Sequence, residues 1–303
     1  MPELPEVETV ARGLRKVLPG RRILAVRLGK TDFIEDPPAV EQLLPNSRIR
    51  DVRRHGKFLL FDLKPPAANA PAFSLLIHLG MTGQLVVCPP EAPIPPHTHA
   101  FLTLDDGREF RYTDIRRFGN IRILDEETRR KILGNLGIDP LEATENEFAA
   151  RIRSRGARIK ALLLDQSVLG GMGNIYTDES LWRARIHPAR LGAKLRADEL
   201  RRLYRAVRDV LKEAIRFRGS SISDYVDAEG NQGSFQRRHR VYRRKGEKCF
   251  RCGAAIGRAI VAGRSSYFCP VCQTPPRKHS ASAHRPGKLP RPKGRSRRRA
   301  GAC

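Results

Sequence analysis

The 303-residue sequence predicts an α+β chain, with a leading helix and an antiparallel β-sandwich followed by a helical domain that ends in a small metal-held hairpin. Three observations predict it. Apolar residues recur with a period of two between residues 22 and 125, their spacing turns helical from Glu126 onward, and two Cys-x-x-Cys pairs follow the last helix. With 40% hydrophobic residues the chain can fill more than one core.

The first element opens on Met1-Pro2-Glu3-Leu4-Pro5-Glu6-Val7-Glu8-Thr9-Val10. Pro5 near its start and Val7, Val10, Leu14, Val17 and Leu18 along one face mark a helix. The small residue Pro2 permits excision of Met1, which leaves a secondary amine at the terminus. An α-amino group titrates near ~8, so a useful fraction is neutral and nucleophilic at physiological pH. Glu3 and Glu6 lie beside it, one turn apart. Spacing alone leaves two readings open: an amine meeting an acid or base at the helix entrance, and acids that merely complement a helix N-terminus.

Six runs then read as strands, at 22–28, 58–63, 73–77, 84–87, 100–104 and 109–112, with Asp105-Asp106-Gly107 turning into the last. Proline-rich stretches at 65–71 and 89–96 read as exposed loops. Charge collects where a packed sheet does not need it. Lys57 follows His55-Gly56 at a strand entrance, His78 begins the glycine-flanked turn through Met81, and His97 and His99 share a loop. Arg116-Arg117-Phe118-Gly119 has the make-up of a phosphate clamp with an apolar wedge, as base eversion requires. A Phe packed under its own hairpin beside solvated arginines fits the same residues.

Helices are expected near 126–135, 145–153, 157–165, 174–186 and 198–218, each setting an apolar face against an Arg-rich one. Gly170-Gly171-Met172-Gly173 precedes the fourth, so backbone can approach a ligand closely and the helix N-terminus at Asn174 attracts phosphate. No strand precedes these glycines to make a dinucleotide site. The stretch 220–240 is polar and glycine-punctuated, a long loop of the functional or disordered kind. Cys249-Phe250-Arg251-Cys252 and Cys269-Pro270-Val271-Cys272, sixteen residues apart, have the spacing of a four-cysteine zinc ribbon. Four thiolates leave no open position, so the Zn2+ is structural and its binding folds the hairpin, whose tip is expected at Gly263-Arg264-Ser265-Ser266. A redox dithiol pair is the other reading.

The net charge is +26; residues 273–303 hold ten Lys/Arg and no acid, and removing those ten leaves +16. An excess of this size fits a polyanion, nucleic acid before membrane, because no apolar run approaches the ~18 residues that span a bilayer. No basic stretch leads into an apolar one at the N-terminus, so a cytoplasmic, nucleoid-associated protein is expected, with Cys88 and Cys303 left as thiols. The Pro/Arg-rich tail after Gln273 is expected to be disordered.

Pro2-Glu3-Leu4-Pro5-Glu6-Val7-Glu8-Thr9 resembles the N-terminal signature of bacterial formamidopyrimidine-DNA glycosylases, and four further motifs up to residue 273 share the likeness. The resemblance implies domains at 1–125 (catalytic helix and β-sandwich), 126–240 (helix-two-turn-helix and lesion-recognition loop), 241–273 (zinc ribbon) and 274–303 (basic tail). It also implies duplex DNA with oxidised purines as partner, and one complete site per chain suits a monomer. Pro2 would be the nucleophile and Glu3 the general acid/base, its pKa raised by the like charges of Glu6 and Glu8. Lys57 and Arg264 would support strand cleavage. His78, His97, Arg116, Arg155, Lys160 and Asn174 would contact the DNA backbone, while Met81, Arg117 and Phe118 would fill the gap left by the everted base. Glu6 and Glu179 would support the site. Ile115 departs from the Pro of many relatives, with little consequence expected. A sister enzyme for oxidised pyrimidines would share most motifs, but Leu4, Met81 and Phe118 argue against it. A non-catalytic zinc-ribbon DNA-binding protein would leave Pro2-Glu3 without a reason. Removing 274–303 is expected to weaken DNA affinity and flatten its salt dependence without abolishing activity, which binding titrations at two or more salt concentrations would check.

Overall fold

The computed structural model describes residues 1–67, 69–222 and 225–275; the expected disordered tail and Cys303 lie outside them. Helix α1 (Leu4–Arg15) turns Val7, Val10, Ala11 and Leu14 into the sandwich core, whereas Leu4 belongs to the core of the helical half. The helix stops before Val17 and Leu18, which were expected on its face; Leu18 is nevertheless fully buried.

Eight antiparallel strands form two four-stranded sheets. They are β1 (Ile23–Leu28), β2 (Arg48–His55), β3 (Phe58–Lys64), β4 (Phe73–His78), β5 (Gln84–Cys88), β6 (Thr98–Leu104), β7 (Glu109–Thr113) and β8 (Asn120–Leu124). One sheet runs β2-β3-β4-β8 and the other β1-β6-β7-β5. Phe61 and Phe110 meet at the centre with ring centroids 5.5 Å apart, and each such buried ring contributes on the order of 2 kcal/mol.

Strands β2 and β8 and the short helix α2 (Pro37–Leu43) were not expected from the sequence. In β2, Ile49 and Val52 are both buried although three residues apart, because the register with β3 shifts between Ile49 and Asp51. An inserted residue changes which face follows, so the alternation is lost in an otherwise Arg-rich run. Helix α2 is held at its start by the Asp36 carboxylate, which accepts from the Ala39 N–H at 3.0 Å.

The helical half contains α3 (Glu126–Gly134), α4 (Glu145–Arg153), α5 (Ile159–Leu164), α6 (Asn174–Ala184) and α7 (Ala197–Arg216). Helix α7 keeps the expected two faces, burying Leu200, Leu203, Val207, Val210, Leu211 and Ala214. Helix α6 does not. Residues 175–182 are buried all round, Thr177, Asp178, Glu179 and Ser180 included. It is enclosed by α5, α7 and the terminal hairpin, so its polar side chains must find partners inside. Lys160 supplies one. Its side chain is 0% exposed, with Nζ donating to Asp178 at 2.7 Å and to the Ser265 carbonyl at 2.8 Å. This corrects the expectation that Lys160 contacts phosphate, since the ammonium is spent inside the fold.

Strands β9 (Gly257–Val261) and β10 (Arg264–Phe268) make the hairpin. Its turn is Ala262-Gly263, both with positive φ (52° and 69°), as two-residue hairpin turns favour. The tip therefore lies two residues earlier than expected, and Arg264 opens β10. The stretch 220–240 is largely packed rather than open. Tyr225 and Ala228 enter the sandwich core, and Phe235, in a short 3-10 turn at Phe235–Arg238, enters the helical one.

Candidate active site

The two halves meet over a cavity of about 540 Å³ lined by Pro2, Glu3, Lys57, Met81, Asn174 and Arg264, among others. The floor is built by backbone. The Leu4 N–H donates to the Gly171 carbonyl at 2.9 Å, which docks the N-terminus on the glycine loop before α6. The Glu3 carboxylate then accepts from the N–H groups of Ile175 at 3.0 Å and Tyr176 at 3.3 Å. Glycine is required at 173, since a Cβ there would lie 2.2 Å from Glu3 Cδ. Gly56, with φ +59°, rests against Gly170 and Gly171, so the turn that carries Lys57 sits on the same loop.

Burial dominates the electrostatics. It raises the Glu3 pKa against the pull of Lys57 and the two backbone bonds. Glu6 is pushed up to about 7, first by burial and then by the charge of Glu3. It accepts from the Glu3 N–H at 2.8 Å, the Ser220 N–H at 2.7 Å and the Tyr176 hydroxyl. Ser220 Oγ in turn lies 3.1 Å from His239 Nε2. Burial, rather than the like charges expected of Glu6 and Glu8, is the leading cause of the rise at Glu3, and the charge of Glu8 is paired with Arg12 and Arg54. Burial opposes ionisation of Glu8, but bonds from Arg12 and Arg54 outweigh it and hold its carboxyl below the ordinary range. Burial also pushes the Lys57 ammonium down, against the pull of Glu3 and Glu6. The same holds for the α-amino group of Met1, which lines this cavity. Neutral amines are thus favoured where a nucleophile would stand.

Asn174 Nδ2 donates to the Ser265 carbonyl at 3.0 Å, tying the start of α6 to the hairpin. Glu179 lies outside the cavity and is not on a helix surface. Its carboxylate takes the N–H groups of Arg240 at 2.9 Å, Val241 at 3.0 Å and Tyr242 at 2.9 Å, which fixes the cavity wall at Tyr242.

A second group extends from Met81, at the cavity, over the surface of the sandwich. Met81, Ile115 and Phe118 are 38%, 51% and 57% exposed, so Phe118 is not packed beneath its hairpin. The Arg116 guanidinium lies 4.5 Å from the Phe118 ring centroid, and Arg117 pairs with Asp32 at 3.0 Å. His78 accepts the Gly80 N–H on Nδ1 at 3.1 Å, and its pKa is lowered by burial and then by Lys57. His97 is exposed, with its ring 6.3 Å from that of His99. Arg155 lies away from both groups in the bonds it makes, paired with Asp165 at 2.5 Å and bonded to Ser167.

Asp114, missed from the sequence, holds this group together. Fully buried, it accepts from Thr82 Oγ1, from the Tyr112 hydroxyl at 3.0 Å, and from the N–H groups of Arg116 at 3.2 Å and Gly119 at 2.8 Å. A Cβ on Gly80 would meet the Phe118 carbonyl carbon at 2.3 Å, so the Met81 and Phe118 loops are locked as one unit. An Asp two residues before a turn N–H is an Asx signal that was available in the sequence. The Tyr176–Ser220–His239 chain behind Glu6 carried no such signal.

The sulfurs of Cys249, Cys252, Cys269 and Cys272 lie within 4.8 Å of one another. A tetrahedral zinc with Zn–S near ~2.3 Å needs sulfurs roughly 3.8 Å apart, so the set fits Zn2+ with no position left open. Backbone N–H groups of Arg251 and Cys272 donate to Cys249 and Cys269 at 3.5 Å and 3.4 Å, orienting the thiolates. The metal would cross-link the hairpin to the loop that follows Val241, and supplies no chemistry at the cavity.

Three family models match the chain: a formamidopyrimidine-DNA glycosylase N-terminal domain over residues 1–121, the corresponding H2TH domain over 136–226, and a zinc finger found in FPG and IleRS over 246–275. The chain is 43% identical over 279 residues to the formamidopyrimidine-DNA glycosylase of Pelotomaculum thermopropionicum, covering 90% of this chain and 99% of that protein. Among solved structures it resembles Lactococcus lactis Fpg in complex with abasic-site DNA (33% identity, TM-score 0.80) and with N7-benzyl-Fapy-dG DNA (34% identity, TM-score 0.81); both matches cover 90% of this chain and 100% of the other.

Proposed function

The chain belongs to the formamidopyrimidine-DNA glycosylase family, and from that premise we propose that it excises oxidised purines, 8-oxoguanine and formamidopyrimidines, from duplex DNA and then cuts the strand at the abasic site. The observation that carries this reading is the meeting of Pro2, Glu3, Lys57, Asn174 and Arg264 in one cavity beside an exposed Met81–Phe118 unit. With Met1 removed, the Pro2 nitrogen attacks the anomeric carbon of the deoxyribose. The glycosidic bond breaks, and its electron pair leaves with the base, which takes a proton from Glu3. A raised carboxyl pKa suits that donation near neutral pH. The Pro2 nitrogen gives up its one N–H proton, and its lone pair opens the sugar ring by breaking the C1′–O4′ bond, with O4′ taking a proton. The iminium that results has no N–H proton to shed, so it remains an electron sink. Loss of a C2′ proton then expels the 3′ phosphate, and a second elimination expels the 5′ phosphate.

In this reading Lys57 and Arg264 grip phosphates at the lesion and assist the eliminations, while His78, His97, Arg116, Arg155 and Asn174 contact the backbone. Arg155 would have to leave Asp165 to do so. Arg117 and Phe118 with Met81 replace the everted purine. Glu6 and Glu179 act through the groups they hold. The division into units at 1–125, 126–240 and 241–273, and action as a monomer in the cytoplasm, belong to the same proposal. Among the described residues no helix is long and apolar enough to cross a membrane.

Borohydride trapping on a duplex with 8-oxoguanine opposite cytosine tests it. A covalent adduct mapped by mass spectrometry to Pro2 is expected. Base release without an adduct, or an adduct on a lysine, would overturn the nucleophile.

A further inference from the structure

Arg243 lines the cavity beside Asn174, Tyr242 and Arg264, and the chemistry above gives it no task. The Val241 carbonyl accepts from the Arg244 N–H at 3.1 Å, so 241–244 is a β-turn with Arg243 third. Its φ is +61°. At that turn position a left-handed backbone makes glycine the usual occupant, since a Cβ is strained there. Three other arginines share this backbone: Arg185 caps α6, Arg218 follows the last turn of α7, and Arg117 pairs with Asp32. Arg243 does none of these.

Its surroundings also differ from those of the arginines that pair with acids. Arg12, Arg54, Arg111, Arg183 and Arg190 all sit against carboxylates. Among the described residues Arg243 has no carboxylate partner, and its recorded ring contact is distant, 5.9 Å from the Tyr242 centroid. Arg264, across the same cavity, also lacks one. The wall under Arg243 is rigid, because Glu179 holds the N–H groups of residues 240–242. A strained backbone on a fixed support thus presents an exposed, unpaired guanidinium at the mouth of a cavity that already holds a second one. Each guanidinium fork matches the oxygen pair of a phosphodiester.

We propose that Arg243 is a DNA-backbone contact, binding a phosphodiester next to the everted nucleotide and thereby positioning that nucleotide in the cavity. This rests on the function proposed above. Wild type and the variants Arg243→Gly, Arg243→Gln and Arg243→Lys would be titrated with a duplex carrying a stable abasic-site analogue at several salt concentrations. Arg243→Gly and Arg243→Gln are expected to bind about tenfold more weakly, with the slope of log K against log salt reduced by about one. Arg243→Lys should keep the slope. Arg243→Gly should melt at or above the wild-type temperature, since glycine relieves the turn, so weaker binding cannot be laid to misfolding. Wild-type affinity and slope in Arg243→Gln would overturn the assignment. So would a loss seen only on duplexes with a damaged base and absent on the abasic one, which would place the guanidinium on the base instead. A wild-type protein that neither prefers nor cuts abasic duplex would overturn the function itself, and this contact with it.

Discussion

Glu3→Gln is expected to slow base release by about 10²–10⁴-fold, while affinity for an abasic duplex stays within about threefold. The variant keeps the size of the side chain and one acceptor for the α6 amides, but it has no proton to give. The rate should also change its response to pH. Glu3 and Glu6 are buried one turn apart and joined through the Glu3 N–H, so they titrate as a pair. Burial raises the pKa of Glu3, and burial followed by the charge of Glu3 raises that of Glu6. In the wild type the single-turnover rate should fall as Glu3 loses its proton, at a pH above the ordinary carboxyl range. In Glu3→Gln the Glu6 pKa loses its raising neighbour, and this limb should disappear. Single-turnover excision measured from pH 5 to 9 decides, and an unaltered rate would remove Glu3 from the chemistry. The same pair shapes stability. A carboxyl whose folded pKa is raised from 4.5 to about 7 favours the fold fully below pH 4.5 and loses that contribution as pH rises through 7.

Lys160→Met should cost about 3–5 kcal/mol at pH 8, because it strands the Asp178 carboxylate in an apolar interior. Asp178 is 1% exposed and keeps the Tyr267 N–H at 2.9 Å, but one N–H does not replace an ammonium. Burial already lifts its pKa to about 7 with Lys160 opposing the rise. Without Lys160 the carboxyl protonates more readily, so the penalty should shrink at pH 5. Adding Asp178→Leu should recover most of the loss. Urea unfolding at the two pH values checks this, and a cost below about 1 kcal/mol at pH 8 would mean that water reaches the pair. Because Lys160 also bonds the Ser265 carbonyl, the variant should loosen the hairpin that presents Arg264.

What could be read in advance follows from how each feature is encoded. Helices α4 and α7, most of the strands and the zinc hairpin rest on local patterns, namely apolar period, caps and cysteine spacing, and these survive in one dimension. Strand β2 was lost because its irregular pairing hides the alternation. The polar side of α6 was misplaced because its burial depends on α5, α7 and β10, which no window of neighbouring residues contains. Pro2, Glu3, Lys57, Asn174 and Arg264 were legible through the resemblance, and their common cavity is visible only in three dimensions. Asp114 escaped notice because its importance lies in four donors arriving from two loops and strand β7.

The hydrogen bonds of the N-terminus also set an order of events during synthesis. Glu3 is among the first residues to leave the ribosome, yet its carboxylate is held by Ile175 and Tyr176, and Glu6 waits for Ser220. At ~5–20 residues per second, those partners emerge roughly 10–40 s later. Until then the sandwich can form around α1 while Glu3 and Glu6 lack these partners. Once α6 docks, Glu3 is buried while Met1 remains exposed. A nascent chain stalled before residue 174 would therefore lack the assembled cavity.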